Sequence, residues 1–109
     1  MDAVDTNSRS AEALRAAATG SGMLPRDLRT AIIERAGGGT QLPAPYDALV
    51  QQVASAAYRV TDAQVAAVRA VAGSDKAAFE LVLCASIGAG LARWDAAARA
   101  IEEAGDAPA

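Results

Sequence analysis

The run from Ala77 to Ala92 constrains this chain more than any other. It reads Ala-Ala-Phe-Glu-Leu-Val-Leu-Cys-Ala-Ser-Ile-Gly-Ala-Gly-Leu-Ala and holds one charge, Glu80, and one hydroxyl, Ser86. A helix that is apolar around its whole circumference has no side to give to water, so something must enclose it. The run is shorter than the ~20 residues that cross a bilayer, and it carries a carboxylate near its start. The expectation is a long central helix, Ser74 to Glu103, in a soluble all-α fold. Preceding helices, four to five in all, and a second copy of the chain would wrap it.

At 109 residues the chain is expected to form a single domain, residues 10–103, with disordered tails at 1–9 and 104–109. Hydrophobic residues make up 52% of it and aromatic residues 4%, with alanine dominant. Alanine favours helix but buries little, about 0.8 kcal/mol per methyl against ~1.5–3 for a larger side chain. A core built this way is short of mass, and association with further copies, as a dimer, trimer or hexamer, makes up the difference. The net charge of −3 argues against nucleic acid as a partner, which calls for a basic face. A single cysteine can form no internal disulfide, which suits a reducing compartment, and cytoplasmic localisation is expected. Histidine, the commonest general base and metal ligand, is absent from the sequence. No metal or other cofactor is expected. The opening Met-Asp-Ala-Val-Asp-Thr-Asn-Ser lacks the basic and apolar regions of a signal peptide, and no membrane association is expected.

Along the chain, a first helix is expected from Ser10, with Ala13, Leu14, Ala17 and Ala18 as its apolar side, to Gly20-Ser21-Gly22. A second opens at Leu24-Pro25, with Leu24, Leu28, Ala31 and Ile32 facing the core and Arg35 along the edge. Gly37-Gly38-Gly39 stops it, and a flexible connector runs on to Pro45. The glycines lack the Gly-Lys-Ser/Thr ending of a phosphate loop. From Tyr46, residues Leu49, Val50, Val53, Ala54 and Ala57 keep a helical period, with Asp47, Gln51, Gln52 and Ser55 opposite. Thr61 and Gln64 form a capping box for a helix that carries Val65, Val68 and Ala72 inward and closes at Gly73. Ser74 then caps the central helix, with Asp75 in its first turn. Beyond Ala92 that helix becomes one-sided. Leu91, Trp94, Ala98 and Ile101 continue the apolar stripe, while Arg93, Asp95, Arg99, Glu102 and Glu103 face water and Asp95 pairs with Arg99. The Gln51–Arg69 segment has a helix-turn-helix rhythm, but its second helix offers base edges one arginine and one glutamine.

Candidate chemistry is sparse. Cys84, the sole thiol, lies in the most apolar stretch, where burial raises its pKa and suits it to a structural role. Glu80, one turn earlier, is a buried acid or base, or else the salt-bridge partner of Lys76. Tyr46, Tyr58, Arg59, Arg93 and Trp94 are candidates for a ligand pocket, or else helix-end anchors and rim residues. Ala85, Gly88, Ala89 and Ala92 are small residues at a spacing that admits a second helix, and they are the candidate oligomer interface.

The segment Leu24-Pro25-Arg26-Asp27-Leu28-Arg29-Thr30-Ala31-Ile32-Ile33 resembles the opening helix of the alkylhydroperoxidase D-like, or carboxymuconolactone decarboxylase, superfamily. Ala72-Gly73-Ser74-Asp75, followed by Phe79-Glu80-Leu81-Val82, resembles that family's turn into its long apolar helix. The resemblance spans about residues 24–101 and implies an all-helical fold assembled as trimers, hexamers or related rings. The family's catalytic Cys-x-x-Cys pair and following histidine would fall near Tyr58, Thr61 and Val65, and its relay glutamate near Tyr46; none matches. No catalytic residue carries over. The expected role is a non-catalytic homo-oligomer that binds or assembles, with a partner protein or a small apolar ligand as its target. The alternative is an enzyme of this type, acting on peroxide or on a lactone or small acid through a non-standard site at Glu80, Cys84 or Tyr58.

Overall fold

The cap signals and apolar periods resolve, in a computed structural model, into five α-helices and one 3-10 turn. The structure describes residues 3–20 and 22–106. In chain order these are α1 (Ala3–Thr19), α2 (Arg26–Ala36), α3 (Tyr46–Ala56) with the 3-10 turn Ala57–Arg59, α4 (Asp62–Ala72) and α5 (Asp75–Asp106). No strand occurs among the described residues. At 32 residues, α5 is ~48 Å long by helical rise and sets the longest dimension, 55 Å, of a body 27 × 22 Å across.

Local chemistry sets the ends of these helices. The Thr61 hydroxyl accepts from the Gln64 N–H at 3.2 Å, and the Gln64 side chain accepts from the Thr61 N–H at 3.0 Å, closing the expected box. Gly73 takes a left-handed φ of 97° and donates its N–H to the Arg69 carbonyl, the conformation that ends α4. The Ser74 hydroxyl accepts from the Ala77 N–H and starts α5 one residue later. The outer boundaries differ from expectation. α1 starts at Ala3 rather than Ser10, because no proline or glycine interrupts Ala3–Thr19. α5 runs past Glu103 to Asp106. Residues 1, 2, 21 and 107–109 lie outside the described residues.

The core is the space between α5 and the two helices laid along it, α2 and α3. Ile32, Leu49, Val50, Val68 and Leu81 are fully enclosed there. The connector from Gly37 to Pro45, expected to be flexible, is pinned. Leu42 is buried in the core, and its N–H donates to the Asp47 carboxylate at 3.0 Å.

Two expectations for the central helix are corrected. Ala85, Gly88 and Ala89 are buried within the chain rather than between chains. A Cβ on Gly88 would run into the backbone of Ile33, its Cα 2.8 Å away, so the small residues admit α2. Ala92, half-buried, belongs to the same seam, near Gly37. Nor is α5 enclosed all round. Phe79 is 67% exposed and Leu83 48%, with Ser86 and Gly90 exposed between α1 and the other helices. Four short neighbours cannot cover the circumference of so long a rod. By length and composition alone, Asp75–Gly105 would also cross a membrane; 44% of its most apolar stretch is buried inside the chain.

Candidate functional site

Two charged side chains sit where neighbouring residues are apolar, and they meet. Arg29, on the core side of α2 with Ile32 and Ile33, is 3% exposed. Its Nη1 donates to the Glu80 Oε1 at 3.3 Å and to the Leu24 carbonyl at 2.8 Å, and its Nη2 donates to the Gly20 carbonyl at 2.7 Å. Glu80, from α5, also accepts from the N–H groups of Met23 at 2.6 Å and Leu24 at 3.2 Å. The pair therefore straps the α1–α2 turn onto α5. Lys76, the expected partner one turn away, is exposed, while Glu80 reaches under the turn to Arg29.

This arrangement decides the chemistry of Glu80. Burial pulls its carboxyl upward, but the Met23 and Leu24 N–H groups and the Arg29 guanidinium outweigh burial and hold it below the ordinary glutamate value. An ionised carboxylate committed to three donors is a poor proton acceptor at neutral pH. Cys84 is buried on the same helix. Burial pushes its thiol above the ordinary range and the Glu80 carboxylate adds to the rise, with Arg29 opposing both. The thiolate that a nucleophile or peroxidase needs is correspondingly scarce.

Two recesses flank this knot between α1 and α5. The smaller, about 240 Å³, has Arg29, Lys76, Glu80 and Cys84 at one end and Leu83 and Ile87 at the other. The larger, about 440 Å³, is almost wholly apolar and is lined by Leu14, Ile87, Gly90, Leu91 and Trp94. The five candidate pocket residues do not converge. Trp94 lines the larger recess. Tyr46 packs against the core at the start of α3. Tyr58 is 86% exposed, with the Arg59 guanidinium 5.8 Å from its ring centre. Arg93 donates to the Ala54 carbonyl at 2.8 Å.

Sequence reasoning missed the main polar contacts. Arg29 shares its side of α2 with Ile32 and Ile33, and that placement was the available signal. Asp47, expected to face water, is half-buried; it accepts from the Arg35 Nε at 2.8 Å and Nη2 at 3.3 Å. Those bonds, with the Leu42 N–H, hold its carboxyl low against burial. Asp95, expected beside Arg99, makes its ion pair with Arg15 of α1 at 3.5 Å. Among the described residues, no three His, Cys, Asp or Glu side chains gather as a metal ion would require. Compared with protein-family models, curated proteins and solved structures, the chain matches none.

Proposed function

We propose that this chain is a non-catalytic, alkylhydroperoxidase D-like helical homo-oligomer that serves as a binding, scaffold or assembly module in the cytoplasm. The observation that carries the reading is the open apolar side of α5, where Phe79 and Leu83 stand in solvent on the helix against which the other four α-helices pack. A single chain leaves that side uncovered, and contiguous exposed apolar surface of this kind marks an interaction face. The bonding of Glu80 and the protonated, buried Cys84 weigh against redox or acid–base work. The family assignment rests on the Leu24–Ile33 and Ala72–Val82 segments. The cytoplasmic assignment rests on the lone reduced thiol.

Light scattering across a dilution series tests the reading. The expected mass is at least two chains at micromolar concentration, and a single-chain mass throughout would overturn it. The enzyme alternative has one observation in its favour, the shared recess of Arg29, Glu80 and Cys84. Peroxide turnover that disappears in Cys84→Ser would establish that alternative; no turnover in the wild type is expected.

A further inference from the structure

The solvent side of α5 is a continuous line. Positions that alternate by four and three along a helix share one side, and Phe79, Leu83, Ser86, Gly90, Ala97 and Ile101 do so. All are exposed, Ile101 to 54%. One flank of the line carries Asp75 and Arg93, both exposed. The other carries Lys76 and Trp94 and borders α1, where Leu14 extends the apolar surface.

We infer that this line is the contact between two copies of the chain, packed through antiparallel α5 helices about a two-fold axis beside Ser86 and Ile87. The inference rests on the self-association proposed above and names its surface. Shape is the first argument. Phe79 and Leu83 lie in the first half of the line, Gly90, with nothing within 4 Å of where a Cβ would stand, in the second, and Ile101 at its far end. An axis between Ser86 and Ile87 sets Leu83 over Gly90 of the second copy and Phe79 beside Trp94 of the second copy. A parallel pair would oppose Phe79 to Phe79 and leave Gly90 facing Gly90 across a void, which close packing disfavours.

Charge is complementary in the same orientation. The axis brings Asp75 of each chain to the flank that holds Arg93 of the other, about 7 Å apart along the helix and within arginine's reach. Asp75 already pairs with Arg69 in an exposed bridge, so the second contact would form a rim network. A parallel pair, whose two-fold axis runs along the helices, would bring opposite flanks together and set Asp75 beside Lys76 of the other copy, so shape rather than charge decides between the two orientations. Antiparallel helices also oppose their macrodipoles favourably. The area agrees with a weak dimer. Leu14, Phe79 and Leu83, the large residues that the second α5 covers, together expose on the order of 300 Å² of apolar surface. At the ~60% apolar share of typical interfaces, that implies roughly 500 Å² per chain, in the range of weak, transient complexes.

Cross-linking tests the axis. In a Cys84→Ala background, Ser86→Cys places a thiol beside the axis, whereas two copies of Ala97→Cys would stand about 30 Å apart. A short bismaleimide should couple Ser86→Cys into a covalent dimer and leave Ala97→Cys single. Coupling at Ala97→Cys equal to that at Ser86→Cys would overturn the antiparallel arrangement. Failure at Ser86→Cys, in a sample whose scattering mass exceeds one chain, would overturn this surface and leave self-association to another; a single-chain mass would overturn both. In the otherwise native chain, Leu83→Glu should keep its helical circular dichroism and weaken association at least tenfold. Unchanged association of Leu83→Glu would likewise overturn the proposal.

Discussion

Glu80 ties α5 to the α1–α2 turn and the start of α2, more than 50 residues earlier in the chain, so its charge matters more than its position in an apolar run suggests. Truncating Arg29 to alanine leaves that carboxylate in an enclosed site without its counter-charge and frees two backbone carbonyls. The expected loss is about 3–5 kcal/mol, read by urea denaturation at neutral pH; a loss under about 1 kcal/mol would show the knot to be dispensable. Acidity acts through the same groups. The folded state holds Glu80 and Asp47 below their ordinary values of 4.5 and 3.8, so the unfolded chain takes up protons first as pH falls. The stability these groups supply is complete above those values and drains away as pH drops below them through the folded ones. Glu80→Gln, which can still accept from the Met23 and Leu24 N–H groups, should flatten part of that acid slope. The part due to Asp47 should remain, which denaturation at several pH values would separate.

Within α5, two glycines two residues apart have opposite roles. Gly88 lies against the backbone of α2, and Gly88→Ala must push the two helices apart, at roughly 1–3 kcal/mol or more. Gly90 faces open space in the single chain, so Gly90→Ala should stabilise it by up to about 1 kcal/mol through helix propensity. Thermal melts of both variants at high dilution would show the opposite signs. Helix limits were legible in the sequence wherever the signal was local: Thr61 with Gln64, Gly73, Ser74. The inward side of α3 was legible from period alone; that of α2 was legible at Ile32 but not at Arg29 and Ile33, which are buried beside it. The partners of Arg29, Asp47 and Asp95 were not, because each comes from another element, 51 residues away for Arg29, while Lys76 and Arg99 were the visible near neighbours. The seam at Ala85, Gly88 and Ala89 announced a close backbone without saying whose. Its assignment to a second chain failed for that reason.

Across the molecule, burial is uneven. α2, α3, α4 and α5 share the enclosed side chains, whereas α1 contributes Ala18 at the margin and leaves Leu14 about half in water. Native-state hydrogen exchange should show α1 amides opening at far lower free energy than those of Leu81 to Ala89. Equal protection in both would mean that α1 is a full member of the core.

α5 comes last in chain order among the described helices, yet every cluster of enclosed side chains leans on it. A nascent chain that has extruded α1 through α4 therefore lacks the helix on which each of them packs, and the carboxylate that secures its first turn is still inside the exit tunnel. Folding of this domain must wait for its final helix to clear the ribosome. Until then, Leu24, Ile32, Leu49 and Val50 travel unprotected, and a chaperone would find its footing there.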